Sequence, residues 1–218
     1  MDSMTDTAPV VSEEQQLVDE AKTGARAPLE KLIRRFNQPL FRIARAQLKD
    51  DAEAEEITQQ AWVQIVSALH QWNGRGTFAA WAATVVVNAC RQRRRGARDD
   101  APLDETEELE GTLPAPDEEV QRAEVGRVLE RTVDELSTPL RIVFVMRDVQ
   151  GLSGAEVAEA LGITEELVRV RLHRARQALR VSLDSQFQGE ARQLFPFLGA
   201  RCDRITHAVL AAVGATDA

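Results

Sequence analysis

GLSGAEVAEALGITEELVRVRLHRARQALR, residues Gly151 to Arg180, predicts two helices around a tight turn. Ser153, with Glu156 three residues on, forms a capping-box pattern at the start of the first. Val157, Ala158 and Leu161 give that short helix an apolar face. Gly162 supplies the backbone freedom of a sharp turn, and Ile163 fills the angle between the helices. Thr164 caps the second helix. In it Val168, Leu172, Ala175 and Leu179 recur at one buried stripe's spacing. Arg169, His173, Arg176 and Arg180 repeat that spacing one step round, so basic groups share the outward face. A short helix, a glycine turn and a longer basic helix make a helix-turn-helix, whose second helix enters the DNA major groove. A structural hairpin with a solvated charged face is the plainer reading of the same residues, and the rest of the chain has to choose between them.

The 218 residues leave room for two modest domains, and 44% hydrophobic content supports ordinary cores. No apolar run is long enough to cross a bilayer. The N-terminus, MDSMTDTAPVVSEEQQ, is acidic and unlike a secretory signal, which points to the cytoplasm. Cys90 and Cys202 are the only cysteines and make no disulfide framework. Cys90 reads as a half-buried helix residue, with a Cys90–Cys202 redox pair as the minor alternative. The net charge of −8 is unevenly spread. Arg91, Arg93, Arg94, Arg95 and Arg98 form one basic block and the helix-turn-helix another, while Asp99 to Glu119 carries carboxylates and no Lys or Arg. Two basic patches on an acidic connector can touch nucleic acid twice, while the overall charge suppresses non-specific binding.

The pattern predicts an all-α fold of two small helical domains joined by an acidic flexible linker, the second domain being the helix-turn-helix. Residues 1–24 are a tail and a short helix from Ser12 to Lys22, with a Ser12/Gln15 cap. Domain 25–96 opens at Pro28 with a stripe of Leu29, Leu32, Ile33, Phe36, Leu40, Ile43 and Leu48. Pro39 should kink or split that helix. A second helix runs from Asp50–Asp51 to about His70, with Asp51, Glu53, Glu55 and Glu56 at its positive end and Ile57, Ala61, Ile65 and Leu69 on its core edge. Thr77 caps a third, to about Arg95, with Phe78, Trp81, Ala82, Val85 and Ala89 inward. Residues 97–116 read as the linker from their prolines and carboxylates. Domain 117–183 resumes with Val120, Val125, Val128, Leu129 and Leu136, and restarts at Pro139. The extension 184–218 has an apolar knot, Leu194 to Leu198, then helix-spaced Ile205, Val209 and Val213. Packing onto the second domain, or docking a regulator, is expected of it. Cys202 and His207 supply only half the ligands of a zinc site.

Assembled in this order, residues 25–183 resemble a bacterial RNA polymerase sigma factor of the extracytoplasmic-function (ECF, group IV) class. Asp51-Ala52-Glu53-Ala54-Glu55-Glu56-Ile57-Thr58-Gln59-Gln60-Ala61-Trp62 resembles the family helix that binds the clamp helices of core polymerase. The resemblance implies core binding by Asp51, Glu53, Glu55, Glu56, Gln59 and Gln60. Trp72-Asn73-Gly74-Arg75-Gly76-Thr77-Phe78-Ala79-Ala80-Trp81, with Asn88 and Arg91 to Arg95, resembles the module that melts and reads the −10 element. There Gln71, Trp72, Asn73 and Arg75 would line a pocket for an extruded base, whose unstacking cost the pocket must offset. The plainer reading of the same loop is an interhelical turn with Trp72 in the core. Asn88, Arg91 and Gln92 would meet bases or backbone near the melted strand, and Arg93, Arg94 and Arg95 phosphates. Leu136-Ser137-Thr138-Pro139, Glu156-Val157-Ala158 and Leu172-His173-Arg174-Ala175-Arg176 resemble the −35 reader. Arg169 and His173 are its base-edge candidates, Thr164 starts its recognition helix, and Arg171, Arg174 and Arg176 are phosphate partners. Glu165 and Glu166 either accept from cytosine amino groups or simply suit the helix N-terminus. Val87, Leu167 and Val170 depart from the family pattern, so no promoter sequence carries over. The implied partners are the beta and beta-prime subunits of core polymerase, promoter DNA and, in some members, an anti-sigma factor. The linker would thread the polymerase channel. No catalytic residue, metal or cofactor is implied.

Two other readings compete. A dimeric helix-turn-helix regulator explains 151–180 but not the acidic helix or the tryptophan–glycine loop, and it would bind a palindromic duplex unaided. A helical adaptor would show no salt-dependent promoter binding. An enzyme fits least, since the sequence has no phosphate-cradling glycine loop or nucleophile–base pair, and His70, His173 and His207 lack evident catalytic partners.

Overall fold

The computed structural model describes residues 13–96, 130–182 and 199–214, and among these every regular element is helical. Residues 97–129 and 183–198, with the acidic connector, the predicted helix start near Asp117 and the Leu194–Leu198 knot, lie outside the described residues, as does the Ser12 cap.

Helix α2 (Arg26–Leu48) is the axis of the first unit. Its stripe of Leu29, Leu32, Ile33, Phe36, Leu40, Phe41 and Ile43 is buried against α1 (Glu13–Ala21), α3 (Asp51–Ser67) and α4 (Phe78–Gly96). The helix is not split at Pro39. Phe36 and Asn37 before it, and Leu40, Phe41, Ile43 and Ala44 after it, are all buried, and that packing offsets the proline's lost hydrogen bond. Lys49 ends α2 in the left-handed conformation (φ 61°), its N–H bonding the Arg45 carbonyl. Asp50 then caps α3, its carboxylate accepting from the Glu53 N–H at 2.7 Å. A 3-10 turn, Leu69–Gln71, finishes what the sequence pattern had extended to His70 as one helix.

Thr77 caps α4, accepting from the Ala80 N–H at 3.2 Å. Helix α4 buries two adjacent stripes, Phe78, Ala82, Val86 and Ala89 beside Ala83, Val87 and Cys90, while Trp81 and Val85 are only partly covered. Both stripes are needed because α4 touches α2 and α3 on one side and the second unit on the other. Cys90 is fully buried rather than half-buried, and burial pushes its thiol up to about 12. Both cysteines are free.

In the second unit, residues 130–135 are helical and α5 (Thr138–Phe144) starts with Pro139 in its first turn. A wider π turn, Val145–Val149, follows, then α6 (Gly154–Leu161) and α7 (Glu165–Ser182). Ser153 and Glu156 form the full capping box. Gly162 takes φ 62°, and the Ile163 N–H returns to the Ala158 carbonyl. Val168, Leu172, Ala175 and Leu179 are all buried.

The two units are docked through α2 with α5 and α4 with α6. Arg141, on α5, is the buried pin. It donates to the Ala46 carbonyl of α2 at 2.5 Å, to the Leu136 and Asp134 carbonyls at 2.8 and 3.0 Å, and to Thr138 Oγ1 at 3.2 Å. Beside it Arg45 binds both oxygens of Asp134 at 3.0 and 2.7 Å.

Helix α8 (Gly199–Ala212) corrects the expectation for the extension: it packs on α2 and α3 of the first unit, not on the second. Ile205, Val209 and Leu210 are buried there. Among the described residues no helix is long and apolar enough to cross a membrane.

Candidate nucleic-acid and polymerase interfaces

The loop between the 3-10 turn and α4 is built for exposure. Gly74 and Gly76 take φ 78° and 70°, conformations a side chain would strain. Asn73 Oδ1 accepts from the Arg75 N–H at 3.1 Å, an Asx turn that sets the loop's shape. Gln71, Asn73, Arg75 and Thr77 are exposed. Trp72 is not: it is 4% exposed, edge-on to Phe78 at 5.8 Å, with Lys22 Nζ 5.6 Å from its ring. This corrects the stacking role for Trp72, whose ring is spent on the core that anchors the loop. Further along α4, Asn88, Arg91, Gln92, Arg93 and Arg95 are exposed and Arg94 is partly covered.

Several basic groups on α4 already have acceptors. Arg93 bonds Glu53 at 2.9 Å and Glu56 at 3.4 Å, so a −10 candidate neutralises two core-binding candidates. Such exposed pairs contribute little and exchange readily. Arg91 donates to the Leu161 carbonyl at the end of α6 at 2.5 Å. Arg91, Arg94, Arg95 and Arg171 line a cleft of about 370 Å³ between the units, over Pro139, Ile142 and Leu161. Thr77 donates its hydroxyl to Glu156 at 2.5 Å. Burial alone would raise the Glu156 carboxyl, but the Thr77 hydroxyl and the Ser153 N–H hold it below the usual carboxylate range.

On α7, Thr164 caps by accepting the Leu167 N–H at 3.2 Å. Glu165, Glu166, Arg169, His173 and Arg174 lie exposed, whereas Arg171 is half-buried in the cleft. Arg176 makes a two-pronged pair with Asp148, at 2.8 and 2.6 Å. Leu167 and Val170, which the sequence reading set down only as departures from the family pattern, also face outward. At 36% and 38% exposure they are the exposed large hydrophobics among the described residues, and they share the recognition helix with Arg169 and His173. Their signal was in the sequence, as apolar departures off the buried stripe. Apolar groups placed in a major groove contact thymine methyls.

On α3, Glu56 and Gln60 are exposed and bonded to each other at 3.0 Å, and Gln59 is partly exposed. Asp51 and Glu55 are held by arginines. Burial would raise Asp51, yet Arg45 and Arg201 lower it; Arg204 chiefly lowers Glu55.

Two helical units, one with an exposed glycine loop beside basic side chains and one with a basic recognition helix, suit a protein that touches DNA at two places. Comparison with known proteins fixes the class. Residues 32–99 match the family model for Sigma-70 region 2, and residues 126–179 that for Sigma-70, region 4. The chain is 31% identical over 158 residues to the ECF RNA polymerase sigma factor SigM of Mycobacterium tuberculosis, covering 72% of this chain and 77% of the relative. It is 24% identical over 181 residues to the RNA polymerase sigma-H factor of Pseudomonas aeruginosa, covering 78% and 94%. Among solved structures it resembles CnrH in complex with the cytosolic domain of CnrY, at TM-score 0.56 and 25% identity, over 79% of this chain and 97% of that one. The chain belongs to the ECF RNA polymerase sigma factors. It is a DNA-binding factor that joins core RNA polymerase, recognises promoters and initiates transcription.

Proposed function

We propose that α3 meets core polymerase through Asp51, Glu53, Glu55, Glu56, Gln59 and Gln60. The Gln71–Thr77 loop, with Asn88, Arg91 and Gln92, takes the −10 strand, and α7 reads the −35 duplex through Arg169 and His173. Arg95, Arg174 and, once freed, Arg93 and Arg94 hold phosphates, which position without specifying. Polymerase supplies the bond-making chemistry and this chain selects and opens the start site, working in the cytoplasm where promoters are. The observation that carries this reading is the pairing, in one chain, of an exposed Asn73–Thr77 loop with an exposed basic recognition helix.

The docked arrangement is a resting one. Elements about 25 base pairs apart are ~85 Å apart along B-DNA, at roughly 3.4 Å per pair. Thr77 of one reader touches Glu156 of the other. The units must therefore part before both elements are held. Run-off transcription from a promoter library, with core polymerase present, tests the function. Start sites that appear only when this chain is added support it. A chain that binds a palindromic duplex without polymerase, and directs no start sites, overturns it.

A further inference from the structure

Helix α8 lies across the carboxylates assigned above to core polymerase. Arg201 Nη2 donates to Asp51 at 2.7 Å, and its Nε lies 3.4 Å from Glu55. Arg204 grips both oxygens of Glu55, each at 2.8 Å. From α2, Arg34 reaches Asp203 at 2.7 Å. Beneath these pairs Ile205, Val209 and Leu210 are buried, and the Arg201 guanidinium sits 4.3 Å over the Phe41 ring. Asn37 of α2 is fully buried, and its amide donates to the Cys202 carbonyl and to Thr206 Oγ1, both at 3.3 Å. A mid-helix asparagine is costly in a permanent core but harmless on a face that is wetted when α8 leaves. Three apolar anchors, with the half-buried Arg201–Glu55 contact flanked by Arg204 and the exposed Arg34–Asp203 pair, make a small contact that can come apart.

We propose that α8 is a built-in competitor for core polymerase: it occupies the α2–α3 groove with Arg201 and Arg204 on Asp51 and Glu55, and polymerase binds fully only once α8 is displaced. This rests on the reading of α3 as the core-binding surface. Being on the same chain, α8 competes at an effective concentration of order millimolar, which a diffusing partner must overcome. Glu56 and Gln60 remain exposed beside it and give polymerase a first foothold. The apparent affinity for core is then lowered by the fraction of chains with α8 undocked.

The test uses the full chain in four forms, with affinity for immobilised core polymerase and run-off yield as readouts. Charge reversal on α8, R201E with R204E, should tighten core binding by about tenfold or more, as the undocked fraction rises. N37C places a thiol against Cys202, whose Sγ lies 3.5 Å from the Asn37 amide nitrogen. Oxidised to the disulfide, that variant should bind core at least about tenfold more weakly, and reduction should restore it. Q59A with Q60A, on α3, tests the surface itself. If the α8 reversal and the disulfide leave affinity unchanged while Q59A/Q60A weakens it, α8 is no competitor and the α3 reading survives. If Q59A/Q60A is silent as well, the α3 reading falls too. Weaker binding by R201E/R204E overturns the proposal by making α8 part of the polymerase contact.

Discussion

Replacing Arg141 by methionine removes a fully buried guanidinium with four acceptors. The Ala46 carbonyl stands in the last turn of α2, where carbonyls have no helical partner, so Arg141 completes that helix from the other unit. Methionine fills similar volume but donates nothing. It would leave the Ala46, Asp134 and Leu136 carbonyls short of donors, at roughly 1–3 kcal/mol each where no water reaches. Against this stand the methionine's own burial, worth ~2 kcal/mol, and relief from burying a charge. That relief is real, since burial lowers the Arg141 guanidinium to about 10. The net loss should be about 3–5 kcal/mol, the range for removing one side of a buried polar contact. For a chain of this length each kcal/mol moves Tm by roughly 2–4 °C. Circular-dichroism melts should therefore show R141M unfolding about 10 °C or more below wild type, with R141K between. A Tm within about 3 °C of wild type would refute the pin and, with it, the docking of α5 on α2.

Other outcomes follow from the interfaces. In the holoenzyme, R174A should reduce the salt slope of −35 binding by about one, whereas R176A should reduce it less because Asp148 already neutralises Arg176; filter binding across a salt series checks both. Substituting L167S with V170S should relax preference for thymine at one or two −35 positions, by about fivefold to tenfold per contact, read from selected promoter libraries. Asp51 and Glu55 are held below the ordinary carboxylate range, so their pairing with Arg201 and Arg204 stabilises α8 docking fully above the unfolded carboxylate values. It is lost as pH falls through the depressed folded values, so the protection of α8 amides, corrected for the intrinsic pH dependence of exchange, should be unchanged from neutrality down to about pH 5 and fall in stronger acid. Constant protection down to acid would show that the ion pairs contribute nothing to docking.

What the sequence made legible was local. Ser153, Glu156, Gly162, Thr164, Asp50 and Thr77 act through bonds to neighbours a few residues away, and a one-dimensional pattern records such bonds. Trp72 beside a glycine loop was ambiguous because exposure depends on Phe78 and Lys22, which reach it only in the fold. Arg141 left a faint trace as a lone charge in Leu140-Arg141-Ile142-Val143-Phe144, but its chief acceptor is 95 residues away. The seat of α8 was hidden for the same reason. Arg201, Asp203 and Arg204 look like an ordinary solvated face until α2 and α3 bring Arg34, Asp51 and Glu55 beneath them. Asn37 marks where α8 lands, through acceptors on Cys202 and Thr206, 165 and 169 residues away.

Glu156 divides its two oxygens between two tasks. Oε2 accepts from the Ser153 N–H and keeps α6 wound, while Oε1 takes the Thr77 hydroxyl. Thr77 in turn still accepts from the Ala80 N–H at the head of α4. When the contact between them breaks, each side retains the bond that shapes its own helix and loses only one that water replaces. At this contact the loop ahead of α4 and the head of α6 can part and meet again without either helix start having to re-form; the greater cost of separating the units lies with Arg141, Arg45 and Arg91, whose acceptors Ala46, Asp134 and Leu161 stand across the joint.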